Sequence, residues 1–290
     1  MADLLPGVIV QGMLTGLVYG LMALGLSVIF GVVRVVNFAH GEFAVVAMYA
    51  AWLMFTHWGL DPILSALPVA ALCFAVGYQL QRHLISPFVG RPEHEQFILL
   101  VGVAMIVLNL TLMTFGPDAR PVNLPYGLDS YEIGPLLLDK ARLVAAAVAL
   151  VLTAAVIAFF RFTRTGTAIR ACADNLLGAA VIGLDVRRLY ALSFGIGLAC
   201  VGAAGAMMTT IADASPTLAH AYTLQGFIIV IIGGLGSLAG ALLGGILIGV
   251  CEALAGFLFQ PSMKSMFSFL LLIAVLALRP QGLLGRIAAR

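Results

Sequence analysis

The sequence predicts an all-α, polytopic transmembrane bundle of about eight or nine membrane segments, and three observations carry that prediction. Hydrophobic residues fill 62% of the 290 positions and charged residues only 10%, against about 25% charged in an ordinary soluble domain. The apolar residues gather into long runs near the ~20 residues that a helix needs to cross the hydrocarbon core. Thirty-two glycines, several repeating every four residues, suit closely packed helices. Ten-residue alternating segments, the mark of a membrane barrel, are absent.

Taken in order, the apolar runs cover 7–33, 41–57, 62–81, 96–115, 142–160, 189–211, 222–235, 238–258 and 265–278. Run 222–235 is short and is interrupted by the GGLGS stretch from Gly233 to Ser237, so it is expected either to cross or to be a broken, re-entrant helix. The whole chain, 1–290, reads as one transmembrane domain. The first basic residue is Arg34, so no charged leader region precedes the first run, which is expected to stay in the mature protein.

Charge sets the expected orientation, because short cytoplasmic loops are enriched in Lys and Arg. Segment 161–188 carries Arg161, Arg164, Arg170, Arg187 and Arg188 against Asp174 and Asp185, and the tail adds Arg279, Arg286 and Arg290. Both are expected on the cytoplasmic side. Segment 116–141 carries Asp118, Asp129, Glu132 and Asp139, with several prolines, and reads as an outside loop with little regular structure. Counting spans places the N-terminus outside. A net charge of +2, with no basic stripe, argues against nucleic acid as a partner.

Two glycine ladders are expected to mark close helix contacts: Gly12, Gly16 and Gly20, then Gly236, Gly240 and Gly244, with Gly245 paired to Gly249. The contact is either internal or with a partner subunit. Each half also has a long span ending in a polar, glycine-bearing break, which reads as a degenerate duplication of the kind transporters carry.

Few polar groups sit in apolar surroundings. Asn37, His40 and Glu42, in NFAHGEF, are a poor metal site, because no second His lies one helical turn away. They lack a nucleophile, so no catalytic residue is expected. Asn37 can cap a helix starting near Phe38, and Glu42 in its first turn suits the helix dipole; the same groups can line a translocation path. Glu252, within GVCEALAGF, faces at least ~2.5 kcal/mol if left charged against lipid, so it must find a partner, water or a proton, and it is a second path candidate. Asn109 is expected to bond between helices. The four cysteines contain no C-x-x-C pair and read as packing residues, with neither metal nor redox work.

The inside segment RFTRTGTAIRACADNLLGAAVIGLDVRR is helix-permissive from Thr167 to Ile182, and Gly183 can end that helix in the left-handed conformation. Arg170 and Asp174 are i,i+4 neighbours. One cation inside the helix is too few for lipid anchoring, so a docking helix for a soluble partner fits better. Lysine occurs only at Lys140 and Lys264, and no G-x-x-x-x-G-K-[ST] is present. The chain therefore holds no nucleotide by that device and is not expected to be an enzyme.

Four stretches in order, VNFAHGEF, TRTGTAIRACADNLLGAAVIGLDVRRL, GGLGSLAGALLGG and the closing RPQGLLG, together resemble the branched-chain amino-acid permeases of bacterial ABC importers, and most closely the smaller of the two permease types. The resemblance covers nearly the whole chain. It implies the ABC importer permease fold, a multi-pass place in the inner membrane, a second homologous permease, two cytoplasmic ATPase subunits that bind the ATP, and a periplasmic substrate-binding protein. It also implies that 161–188 is similar to the helix coupling permease to ATPase, with Gly166, Arg170, Ala171, Ala173, Asp174 and Gly183 on its motif. Urea and short-chain amide permeases share much of the same text. The competing readings are a stand-alone secondary transporter or channel using Glu42 and Glu252, and more distantly an intramembrane enzyme.

Overall fold

The computed structural model describes residues 4–127, 129–133 and 136–285. Every apolar run forms a helix. These are α1 (Leu5–Val33), α2 (His40–Trp58), α3 (Pro62–Gln79), α4 (Glu93–Phe115), α5 (Lys140–Phe162), α8 (Val186–Met208), α9 (Ala219–Gly233), α10 (Leu238–Leu258) and α11 (Lys264–Leu278). Two short helices, α6 (Arg164–Asp174) and α7 (Leu176–Val181), fill the long basic connection. Among the described residues, eight helices are long and apolar enough to span a membrane. The ninth long helix, α2, falls outside that set because His40, Glu42 and His57 reduce its apolar character.

The bundle has two distinct ends. At one, Gln11 of α1 donates to the carbonyl of Leu137 and accepts from Arg142. This end carries the loop 116–139. The loop is more ordered than its composition implies: β1 (Ser130–Ile133) and β2 (Leu136–Asp139) form an antiparallel hairpin, and Arg120 pairs with Ala214 in an isolated bridge. The Tyr126 hydroxyl donates to the Asp61 carboxylate, anchoring the loop to the start of α3. Burial and that carboxylate push the Tyr126 phenol well above its ordinary range. At the opposite end, Arg34 reaches the carbonyl of Ala173 in α6, and Gly31 lies against Gly236. Residues 161–188, 82–92 and 279–285 gather there. Arg286 and Arg290 lie outside the described residues.

Helix direction and pairing repeat in inverted form. α1 runs from the hairpin end to the α6 end and packs along α10; α8 runs the opposite way and packs along α3. α1 and α8 cross at the centre, as do α2 and α9. Helices α1–α4 and α8–α11 thus form two sets of opposite direction, the arrangement that internal duplication gives in transporters.

Both glycine ladders are spent inside the chain. A Cβ on Gly16 would lie 2.6 Å from the Gly245 carbonyl oxygen, one on Gly12 2.8 Å from that of Gly249, and one on Gly20 3.2 Å from Leu242. On the other ladder, Gly236 meets Gly31, Gly240 meets Gly233 of α9, and Gly244 meets Ile229. Lipid tails are as apolar as the side chains, so burial of hydrocarbon does little to drive these pairings; close backbone approach and dispersion do.

The closing RPQGLLG has a structural task. Leu283 and Leu284 donate their N–H groups to the carbonyls of Ile232 and Gly233 at the C-terminus of α9, satisfying acceptors that helix geometry leaves open.

Gly16→Leu is expected to disrupt the α1–α10 contact, since overpacking costs ~1–3 kcal/mol even where some relaxation is possible. Gly7, with nothing within 4 Å of its added Cβ, supplies the control. Size-exclusion profiles of detergent-solubilised protein should show several-fold less monodisperse Gly16→Leu and an unchanged Gly7→Leu.

Candidate functional site

Helix α1 is capped by Arg34, whose left-handed φ of 58° turns the chain back into the bundle. The chain then runs without helix to Ala39, and α2 starts deep inside. His40 Nε2 lies 2.9 Å from the carbonyl of Met22, eleven residues and so ~16 Å from the α1 terminus. A carbonyl can only accept, so Nε2 carries the hydrogen in this bond. α9 also begins within the bundle. Ala219 and Thr223 lie against Gly41, where any Cβ would overlap the α9 backbone, and Gly226 faces the His40 ring. The short run 222–235 is therefore a helix whose N-terminus is internal.

The crossing of α2 and α9 holds a compact polar cluster. Asn37 and His40 are fully buried, and Glu42 is 6% exposed. Asn37 Oδ1 accepts from the N–H of Ala39 at 3.1 Å. It therefore caps the turn before α2, and the helix itself starts at His40 rather than Phe38. Thr223 joins the two helices: its Oγ1 accepts from the N–H of Gly41 at 2.8 Å and donates to Glu42 Oε2 at 3.0 Å. Among the described residues, Asn37 Nδ2 and His40 Nδ1 have no partner. Thr223 was not singled out from sequence; its one signal was a hydroxyl at the start of the short run.

On the α6 side of this cluster lies a cavity of ~1120 Å³, lined by Ser27, Arg34, Phe38, Phe97, Arg170 and Asp174 among others. Phe38 and Phe97 are part of its wall. Phe38 meets Phe97 edge-on at 4.6 Å and Phe227 at 5.1 Å. Phe38, at the centre of this ring group, lies between Asn37 and the start of α2 in sequence.

Glu252 belongs to a different cluster. Its Oε1 accepts from Gln225 Nε2 at 3.0 Å and from Ser268 Oγ at 3.1 Å, tying α10 to α9 and α11. Gln225 and Thr223 are two positions apart on α9, so they leave opposite faces. Glu42 and Glu252 are not brought together. Among the described residues Asn109 makes no interhelical bond: its Nδ2 donates to the carbonyl of Met105 in its own helix.

The basic segment departs from a single Thr167–Ile182 helix. It breaks at Asn175, which leaves helical geometry and accepts from the N–H of Gly178 to cap α7. Thr163 likewise caps α6 through Gly166. Gly166 packs against the backbone of Phe159 and Phe160, so it seats α6 on α5. Cys172 is on the same buried side, where burial pushes its thiol up. Ala171 and Ala173 are half-buried, while Arg170 and Asp174 are exposed. Arg170 bonds Thr167 at 3.5 Å and forms no ion pair with Asp174. Gly183, with φ 84°, ends the segment in the left-handed conformation. The large exposed apolar side chains lie on and just after α7: Leu177 at 79%, Val181 at 84% and Ile182 at 73%.

Residues 8–276 match the family described as the permease component of the branched-chain amino acid transport system. The chain belongs to this family. The high-affinity branched-chain amino acid transport system permease protein LivH of Salmonella typhimurium is 30% identical over 95% of this chain and 94% of its own length. BraD of Pseudomonas aeruginosa, of the same description, is 29% identical over 96% and 95%. A probable branched-chain amino acid transport permease LivH of Methanocaldococcus jannaschii is 27% identical over 91% and 88%. For a member of this permease family, polar groups at helix starts within the bundle, beside a large cavity, fit a transport role and need no bond-making chemistry.

Removing the Thr223 hydroxyl leaves a buried N–H and a carboxylate short of a partner, a loss worth ~1–3 kcal/mol. Thr223→Val is expected to lower thermal stability in detergent, while Thr223→Ser should stay near wild type. A melting curve of Thr223→Val equal to wild type would remove the hydroxyl from the crossing.

Proposed function

We propose that this chain is one permease subunit of an ABC importer that carries branched-chain, hydrophobic amino acids across the bacterial inner membrane. Separate ATPase subunits bind and hydrolyse the ATP, a second homologous permease completes the membrane unit, and a periplasmic binding protein delivers the solute. The names of its relatives support the substrate class. The observation that carries the mechanism is the α6–α7 segment: α6 lends Arg170, Ala173 and Asp174 to the wall of the large cavity, and the apolar Leu177, Val181 and Ile182, on and just after α7, are exposed. A lone carrier has no need of such a surface, whereas an importer driven from below does.

Orientation follows from charge. The α6 end concentrates Arg34, Arg82, Arg91, Arg161, Arg164, Arg170, Arg187, Arg188 and Arg279, and the hairpin end concentrates Asp61, Asp118, Asp129, Asp139 and Asp213. The bias in arginine supports a cytoplasmic α6 end and a periplasmic N-terminus. α6 and α7 then act as the ATPase-coupling element, with Gly166 seating it, Ala171 and Ala173 leaving room for close approach, and Gly183 closing it.

In this reading the solute passes along the α2–α9 crossing. Asn37, His40 and Glu42 present polar groups there, and the ring cluster of Phe38, Phe97 and Phe227 closes the cytoplasmic side in the present conformation. Arg34, bonded to Ala173 at 3.4 Å, joins the coupling element to the segment that leads to this cluster. Glu252 acts nearby by holding α9 to α10 and α11.

Leu177→Asp with Val181→Asp places two carboxylates on an exposed apolar surface without touching the bundle. The double variant is expected to insert normally, yet retain at least tenfold less ATPase on co-purification and to lose leucine uptake in reconstituted membranes. Full ATPase retention with normal uptake would instead support a carrier that works alone. Orientation is checked separately: in a cysteine-free background, Asp129→Cys and Val181→Cys should label from opposite faces, Asp129→Cys from the periplasm. Labelling of Val181→Cys from the periplasm and of Asp129→Cys only from the cytoplasm would reverse the assignment of the ends, and labelling of both from the periplasm would overturn the two-ended topology.

A further inference from the structure

A second cavity, of ~400 Å³, lies at the α6 end away from the cavity already described, and its walls are Tyr78, Arg82, Asp185, Arg187 and Arg188. Three guanidinium groups converge there with one carboxylate. Asp185 Oδ1 is already occupied in capping α8 through the N–H of Arg188 at 3.0 Å. Among the described residues, none of the three arginines forms an ion pair, and the one side-chain bond is Arg82 to the Tyr78 hydroxyl at 3.5 Å.

Three cations share this pocket with one carboxylate, so it carries an excess of positive charge. Arg187 and Arg188 are the second and third residues of α8, and a helix N-terminus repels cations. Arg82 adds a third like charge from another helix. Its position depends on a change of helix type: α3 continues as a π-helical segment, Leu80–Ile85, which packs beside α8. Such segments are rare and recur at functional sites. An anion bound there would offset this excess charge and could accept from the guanidinium groups.

The face of α3 that carries Arg82 identifies the kind of anion. Away from the pocket it continues through Ala75, Ala71, Leu67 and Leu64, at three- and four-residue steps, and all four are exposed. Leu64 and Leu67 are 64% and 68% exposed. In a spanning helix these side chains meet acyl chains, so the pocket lies where the hydrocarbon layer gives way to headgroups. Basic pockets between spanning helices at this level recognise phospholipid headgroups, and planar guanidinium groups suit the paired oxygens of a phosphate.

The geometry points to Tyr78, Arg82, Arg187 and Arg188 as a binding site for the phosphodiester of an anionic phospholipid, with its acyl chains along the exposed face of α3. This site is separate from the proposed solute path and lies past α6 and α7, at the far end of segment 161–188, and it requires only that the chain span a membrane. Bound there, the lipid links the end of α3 to the start of α8.

The test uses the full chain in detergent, relipidated with phosphatidylglycerol or phosphatidylcholine, with retained lipid counted by native mass spectrometry. Wild type should retain phosphatidylglycerol selectively and gain thermal stability from it. Arg82→Gln/Arg187→Gln/Arg188→Gln should lose at least tenfold of that retention, and the exposed single changes Arg187→Gln and Arg188→Gln a part of it. Arg161→Gln/Arg164→Gln/Arg279→Gln removes the same charge outside the pocket and should retain the lipid. Equal losses in both triple variants would mean diffuse surface charge and overturn the site. An equal stabilisation by 10 mM inorganic phosphate alone would make the ligand a free anion rather than a lipid. Lipid retention unchanged in the pocket variant, with ATPase co-purification lost, would assign the arginines to a protein contact and likewise refute the proposal.

Discussion

A backbone N–H or C=O in the hydrocarbon layer must find a partner within the protein, since lipid offers none. Two helices of this chain start inside the bundle, α2 at His40 and α9 at Ala219, and each brings a helix start into the place where that rule is most severe. At the start of α2 the partner comes from α9, and the two helices are tied by a chain of two bonds. α9 supplies the Thr223 hydroxyl to the N–H of Gly41 in α2, and α2 supplies the Glu42 carboxylate to Thr223. The absent side chain of Gly41 lets the backbones come close enough for both bonds. Polar residues that would be prohibitive against lipid are thereby required at this position.

The remainder of the bundle keeps that crossing in place. α1 against α10 and α3 against α8 meet through glycine, so two rigid helix pairs flank α2 and α9. Gly25 packs on the Gly197 carbonyl where α1 and α8 cross, close to the level of the polar cluster. Protein interiors packed to this degree transmit small displacements instead of absorbing them. The bond from Arg34 to Ala173 ties α6 to the segment leading to His40.

Much of the fold was legible in the sequence because membrane spans are encoded by composition over ~20 residues, and every apolar run became a helix. The ladders at Gly12 and Gly236 also showed where helices meet, though their partners came only from the structure, since spacing identifies a face and not what it touches. Three features escaped. The hairpin at 130–139 is held by backbone pairing that acidic, proline-bearing composition conceals. The break at Asn175 depends on a cap competing with helix continuation in a segment otherwise rich in helix formers. Thr223 and Gln225 were invisible because a threonine and a glutamine at the edge of an apolar run look incidental until a helix start from elsewhere in the chain arrives beside them. Asn37, His40 and Glu42 were legible for the opposite reason: such residues are scarce in lipid-embedded chains.

The pairing of α1 with α10 also sets the order in which the molecule can be built. Gly16 and Gly245 touch, yet about 230 residues of chain separate them. At ~5–20 residues per second of synthesis, α1 enters the membrane some ten to forty-five seconds before its principal partner exists. In the finished structure α1 is largely buried, so during that interval a surface shaped for another backbone faces lipid or the insertion machinery. The glycine face suits both states. Its side-chain-free groove presents no polar group to lipid while it waits, and it closes on α10 once the last third of the chain has been inserted. Assembly is therefore late and non-local, and a chain truncated before α10 would leave its first helix without the contact that completes the bundle.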